Sequence, residues 1–240
     1  MGWRRDYTVI DLEMTGLNAK NDKIIEIGAV KVRSGQIQDT YSTLVNPRQH
    51  IPGKVQELTG IRDEDVADAV EEDIAVGRLI EFIGDDVIVG QNVGFDYSFL
   101  KQWAVNHKIP LELSSYDTLK MARKVLPAET KKTLEALCSH YGIKRENGHR
   151  ALNDTLETQE LFEILIGEFD RAGIEAMEPK PLVYKAKKQT PATKHQVERL
   201  MEFRQEHDIS DEVPWETLTR SQASRLYDEY RSEYGGLKIK

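Results

Sequence analysis

The chain has 240 residues, 39% hydrophobic and 31% charged, with a formal net charge of −8. That length suits one domain with a sizeable core plus an appendage, and the composition excludes a disordered chain. No apolar run approaches the roughly eighteen residues of a membrane span, Met-Gly-Trp-Arg-Arg-Asp at the start has no apolar signal core, and the lone Cys138 excludes an internal disulfide or a cysteine-built zinc site, all of which fits a cytoplasmic protein.

Tyr7–Asp11 reads as a buried strand, and Ile24–Val32 alternates as a second. Ser34-Gly35 is a turn, and Gln36–Val45 returns as a third strand, which predicts an antiparallel hairpin. Pro47 and Pro52 interrupt the next stretch. Ile74, Leu79, Ile80 and Ile83 predict a helix stopped by Gly84. Val87–Val89 is a short core strand. Phe99, Leu100, Trp103 and Ala104 fall at helical spacing within Tyr97–His107. Ser115–Asp117 is a last strand feeding a helix from Thr118. Leu134, Leu137 and Tyr141 predict another helix, stopped by Gly142, and Leu152–Phe169 is a long amphipathic one. Strands first, then strands alternating with helices, predict an α/β domain whose mixed sheet has three antiparallel strands and later parallel ones.

Glu178-Pro179-Lys180-Pro181 marks an edge, so we expect one domain over residues 1–178, a basic linker over 179–193 and a small helical module over 194–240. Thr193, and Thr219 or Ser221, are candidate caps of two short helices. The sequence shows no evident repeats or low-complexity segments. Residues 179–240 carry 12 Lys/Arg and 10 Asp/Glu, so the acidity lies in the first 178. Part of that acidity is the run from Asp63-Glu64-Asp65 to Glu71-Glu72-Asp73, which reads as a solvated face. The basic stretch with Lys185, Lys187, Lys188 and Lys194 suits either phosphate contacts or a protein-docking appendage.

Five separated residues carry the chemistry. Asp11 and Glu13 lie in D-L-E-M-T-G-L at the end of the first strand. Two residues apart, they point to one face, with Leu12 turned to the other. Asp96 lies in G-Q-N-V-G-F-D, and His149 and Asp154 in G-H-R-A-L-N-D. Carboxylates brought together repel one another unless cations are present, and oxygen-only ligands favour Mg²⁺ or Mn²⁺. A neighbouring His can accept a proton near neutral pH. The residues therefore point to a two-metal phosphodiester hydrolase. Gly16 permits close approach of backbone to a ligand, Asp117 reads as a helix cap, and His140 as structural.

These segments resemble the DEDDh family of 3′–5′ exonucleases, in the branch of the bacterial DNA polymerase III proofreading exonuclease (epsilon subunit or PolC-type domain). The similarity runs from about Arg5 to Arg171 and includes N-P-x(3)-I-P at Asn46–Pro52 and E-L-T-G-I at Glu57–Ile61. It implies a ribonuclease H-like fold. It implies Asp11, Glu13, Asp96 and Asp154 as ligands of two divalent metal ions, Mg²⁺ or Mn²⁺, and His149 as general base. It further implies that Met14, Thr15, Gly16 and Leu17 receive the 3′-terminal nucleotide, with backbone amides on the 3′-hydroxyl and Leu17 beside the base. Asn92 and Phe95 match its N-x-x-F-D pattern, and Phe95 is either core or a stacking platform. The implied substrate is a single-stranded or frayed 3′ end of DNA, cut to nucleoside 5′-monophosphates, and the implied partner is a DNA polymerase or other replication or repair protein. An RNA 3′-trimming enzyme and a catalytically silent nucleic-acid-binding module are the alternative readings.

Overall fold

A computed structural model describes residues 2–145, 148–211 and 213–235. Three long strands open the chain: β1 (Tyr7–Met14), β2 (Ile24–Arg33) and β3 (Gln36–Asn46). They form the expected antiparallel meander. β5 (Ile88–Gly90) then pairs parallel to β1, and β6 (Ser114–Asp117) parallel to β5. Two-residue strands close the edges: β4 (Val70–Glu71) beside β3, and β7 (Lys180–Pro181) antiparallel to β6, giving the order β4-β3-β2-β1-β5-β6-β7. The α/β class and mixed sheet are as the sequence led us to expect. The two short edge strands were not legible, because neither carries a pattern of its own.

The period-2 rule sorts β1 onto two cores. Ile10, Leu12 and Met14 face α3 (Glu72–Ile83) and α4 (Gly94–His107), among Leu79, Tyr97 and Leu100. Tyr7 and Val9 face the other way, onto α7 (Ala151–Arg171), with α5 (Thr118–Val125) and α6 (Leu134–Tyr141) beside it. Phe162 is fully buried there, its ring 4.9 Å from that of Tyr7 and nearly perpendicular to it. Side chains of this size contribute about 1.5–3 kcal/mol each on burial. Asp11 and Glu13 continue the Tyr7–Val9 row, so the alternation that buries the strand also aims both carboxylates at the start of α7.

The proline-broken stretch after β3 holds two short helices, α1 (Gly53–Thr59) and α2 (Asp63–Val66). The acidic residues of α2 crowd its first turn, where the helix dipole favours negative charge. Residues 179–193, expected as a basic linker, lie along the sheet and α4. β7 pairs with β6, Leu182 is buried, and the buried Gln102 donates its Nε2 to the Lys187 carbonyl at 2.9 Å. Beyond it, α8 (Lys194–Glu206) and α9 (Arg220–Tyr234) pack on each other around Leu200, Phe203, Ala223 and Tyr230. Residues 212 and 236–240 of this module lie outside the described residues. Thr193 with Gln196, and Thr219 with Gln222, form reciprocal capping boxes. Each box is followed by an Arg-Leu pair, at Arg199-Leu200 and Arg225-Leu226. This is a short internal repeat that the composition conceals.

One contact fixes where α7 begins. A Cβ on Gly28 would overlap the backbone of Ala151 and Leu152. Gly28 pairs with Asp11 across the β1–β2 ladder, so the helix start is lowered onto the strand beside that carboxylate. Gly28→Ala pushes backbone against backbone, which cannot yield as a flexible side chain would. It should destabilise the protein by about 1–3 kcal/mol in urea denaturation; an unchanged midpoint would show that the helix seat has slack.

Candidate active site

The site lies at the carboxyl end of β1, where the strand has parallel β5 on one side and antiparallel β2 on the other. Open α/β sheets place ligands at such ends. Asp96, in the first turn of α4, is buried and takes the Leu12 backbone N–H at 3.0 Å. Its carboxylate thus abuts the strand between Asp11 and Glu13. Asp154, in the first turn of α7, is equally buried. Ligand atoms of Glu13, His149 and Asp154 lie within 4.8 Å of one another. His149 is solvent-exposed with φ +66, a left-handed conformation unusual for a non-glycine residue, and its backbone hydrogen-bonds to the Asp154 carboxylate.

Electrostatics register the crowding. Burial, then the charges of Asp96, Glu13, Asp154 and Glu26, hold the Asp11 carboxyl well above the usual range. Burial, then Asp154, Glu26 and Asp96, push Glu13 up to about 8, with Arg150 opposing. Burial also raises Asp96, against the pull of the backbone N–H groups of Asp96 itself and Leu12. Asp154 is raised by burial, with Arg145 and then His149 opposing. Such a set of oxygen ligands around a His fits hard divalent cations, Mg²⁺ or Mn²⁺.

Four residues that sequence reasoning did not single out support this arrangement. Glu26 is buried opposite Glu13 in the β1–β2 ladder. Its carboxylate takes the Ala151 N–H at 2.9 Å and a forked contact from Arg150 at 2.9–3.3 Å. This clamp fastens the helix start whose height Gly28 sets. Arg145 spans Asp154 at 2.9 Å and Glu157 at 3.1 Å, its guanidinium lying across Gly148. A lone acid inside the apolar run Ile24-Ile25-Glu26-Ile27 was the one available signal.

The other expected residues divide. Met14 is buried in the α3–α4 core, so its side chain belongs to packing. Thr15 is buried, its Oγ1 accepting from Lys23 N at 2.9 Å and Gln49 Nε2 at 2.7 Å. Gly16 lies against the Asp22 carboxylate with no room for a Cβ, and Leu17 projects into solvent, 85% exposed. Asn92 is exposed with φ +58, a conformation Asn tolerates, and its N–H reaches Asp117 at 3.1 Å. Phe95 is half-buried with an edge on Phe99, leaving both core and stacking roles available. Asp117 caps α5 by accepting from Leu119 and Lys120, and the His140 ring stands against Tyr141.

Comparison with known proteins gives a family. The family model described as Exonuclease (RNase_T) matches residues 8–162. Over 157 residues the chain is 40% identical to the PolC-type DNA polymerase III of Clostridium perfringens, spanning 65% of this chain but 11% of that protein. It is 34% identical to the DNA polymerase III subunit epsilon of Aquifex aeolicus, spanning 65% of this chain and 78% of that one. Among solved structures, Exonuclease X in complex with 5′ overhanging duplex DNA aligns with TM-score 0.54 and 26% identity, over 71% of this chain and 95% of that one. The nuclease domain of 3′hExo, a DEDDh family member bound to rAMP, aligns with TM-score 0.61 and 17% identity, over 74% and 98%; at that identity the likeness is one of fold.

The raised carboxyls set a pH signature. The folded chain keeps protons between pH 4.5 and about 8 that an unfolded Glu13 has lost. Stability without metal therefore falls as pH rises through that window. In EDTA the melting temperature should be higher at about pH 5 than at pH 8, Mn²⁺ should recover the loss at pH 8, and Asp11→Asn should flatten the dependence. A melting temperature indifferent to both pH and Mn²⁺ would mean that the carboxylates do not strain the fold.

Proposed function

The chain belongs to the exonuclease (RNase_T) family, and on that premise we propose that it hydrolyses DNA from single-stranded or frayed 3′ ends, with His149 as general base beside two divalent ions. It is a 3′–5′ exonuclease, a phosphodiester hydrolase. The substrate, metals and residue roles are our reading. The observation that carries it is the meeting of Glu13, His149 and Asp154 within 4.8 Å at the end of β1, beside carboxyls raised by burial and mutual repulsion.

Asp11, Glu13, Asp96 and Asp154 would hold the ions, Mg²⁺ or Mn²⁺. When bound, such ions neutralise phosphate oxygens and acidify water. A ring nitrogen of His149, at a solvent-open turn, takes the proton of the attacking water. The water oxygen bonds to phosphorus, and the 3′-oxygen of the preceding nucleotide leaves, freeing a nucleoside 5′-monophosphate. Gly16 would offer backbone to the terminal 3′-hydroxyl, the Thr15 N–H being taken by the Lys23 carbonyl. Leu17 offers an exposed apolar side chain to the terminal base. Asn92, just before α4, and Phe95, in its first turn, would meet the substrate strand.

Because the PolC-type relatives are about nine times longer than the matched stretch, polymerisation is no part of this reading. A DNA polymerase or another replication or repair protein is the proposed partner, which would place the protein in the cytoplasm. Among the described residues no helix is long and apolar enough to cross a membrane.

The test is digestion of 5′-labelled single-stranded DNA, RNA, and matched and mismatched duplexes. With Mg²⁺ or Mn²⁺, the DNA should shorten from its 3′ end and release 5′-monophosphates. EDTA or Asp11→Ala should abolish this, and His149→Ala should slow it by about 10²–10⁴. Wild-type turnover in Asp11→Ala, or a His149→Ala rate within a few-fold of wild type at every pH, would overturn the assignment. Digestion of RNA alone would move the substrate to the alternative class.

A further inference from the structure

We infer that the C-terminal helical module completes the substrate site: Arg225 of α9, by holding Asp22, positions the Thr15–Leu17 turn that receives the 3′-terminal nucleotide. The inference rests on the function proposed above and adds a positioning residue from outside the family-matched region, which ends at residue 162.

The turn between β1 and β2 is a closed structure built around Asp22. Thr15 N–H reaches the Lys23 carbonyl at 2.8 Å, and the Asn21 and Asp22 amides reach the Asn18 carbonyl at 2.9 and 2.8 Å. One Asp22 oxygen accepts the Asn18 N–H at 2.8 Å. The carboxylate lies directly under Gly16, where any Cβ would overlap it. Asp22 therefore sets the height of Gly16 and the direction in which Leu17 leaves the turn. It is also buried, its side chain 5% exposed, so its charge needs a partner.

That partner comes from the tail. Arg225 Nη1 meets the second Asp22 oxygen at 2.5 Å, while its Nε is steadied by Glu229 at 2.7 Å, one helical turn on. The repeat in the module isolates this feature. Arg199, at the equivalent place on α8, lies on the module's own surface: its guanidinium stacks 3.8 Å from the Tyr227 ring centre and donates to Tyr227 Oη at 2.9 Å. Of the two matched arginines, one serves the module and the other serves the turn. A second tether reaches the same loop. Gln189 Nε2 donates to the Lys20 carbonyl, and Gln189 N–H is held by Asn106 Oδ1 at 3.1 Å on α4. Beside these tethers the module and the domain line a cleft of about 330 Å³, with Lys23, Gln49, Gln189 and Gln222 on its walls. These polar tethers join the module to the loop and to α4.

A docking role alone predicts only a shift in stability. A phosphate handle through Lys185, Lys187, Lys188 and Lys194 predicts a changed salt dependence, with a slope near −0.7 per contact on single strands. Positioning predicts neither. It predicts weaker capture of the terminal nucleotide at an unchanged salt slope.

The experiment uses the full chain with Arg225→Ala, Arg225→Lys, and Asp22→Asn alone and combined with Arg225→Ala. Readouts are KM and kcat on a single-stranded oligonucleotide across a salt series, and competitive inhibition by a nucleoside 5′-monophosphate, which has no second phosphate for a handle to grip. Arg225→Ala should raise both KM and the inhibition constant about tenfold, the scale of one lost buried ion-pair contact, with kcat within about threefold and the salt slope unchanged. Arg225→Lys should recover part of the loss, and Asp22→Asn should add nothing in the Arg225→Ala background. Unchanged KM and inhibition constants in Arg225→Ala, a flattened salt slope, or a loss confined to melting temperature would each overturn the inference while leaving the exonuclease reading intact. A wild-type chain inert on every 3′ end would instead remove that reading, and this inference with it.

Discussion

Four carboxylates meet at the end of one strand, and mutual repulsion is the force the surrounding fold must contain. Asp11 and Glu13 arrive by strand alternation alone, as the continuation of a row that buries Tyr7 and Val9. Asp96 and Asp154 arrive on the first turns of α4 and α7, where helix dipoles favour negative charge. Each arrival is fastened by backbone. Leu12 donates to Asp96, and the Ala151 amide donates to Glu26 directly behind the site. Glu26 adds a further negative charge to the crowd, yet its forked bond with Arg150 fixes the helix that brings His149 and Asp154. The geometry is thus held by groups that gain nothing from the repulsion they enforce, an arrangement in which, in our reading, cations would turn a destabilising cluster into a binding site.

Much of this was legible in the chain. The acidic pair on a short apolar run, the helix-starting Asp96 and the G-H-R-A-L-N-D stretch are local patterns, so their residue types and spacing carried the reading. What stayed hidden depends on partners far along the sequence. Gly28 is unremarkable in a strand until α7 is known to start on top of it. Glu26 pairs with Arg150, 124 residues away. Met14 sits in the same motif as Thr15 and Gly16, but the β-bulge between Glu13 and Met14 and the alternation of the strand turn its side chain into the far core. For the tail, proline and lysine content suggested a basic linker or semi-rigid arm. Its course along α4 is fixed by Gln102 and Asn106, whose hydrogen bonds to backbone at Lys187 and Gln189 leave no mark on composition.

The net charge of −8 is reconciled with a nucleic-acid substrate by the same logic. The central acids are metal ligands in our reading, and Asp63, Glu64, Asp65, Glu72 and Asp73 lie in the first turns of α2 and α3, which favour them. Three arginines at the site and its turn are paired with acids: Arg145 with Asp154 and Glu157, Arg150 with Glu26, and Arg225 with Asp22. In our reading the chain would capture a strand end through a shaped turn and bound cations, with little help from long-range attraction.

The most direct test of the account is anomalous diffraction from crystals of the full chain soaked with Mn²⁺ and a nucleoside 5′-monophosphate. The account predicts manganese peaks in contact with Asp11, Glu13, Asp96 and Asp154, with the phosphate against them and the base beside Leu17. Manganese bound elsewhere, with these four carboxylates left protonated or paired only with Arg145, would contradict it.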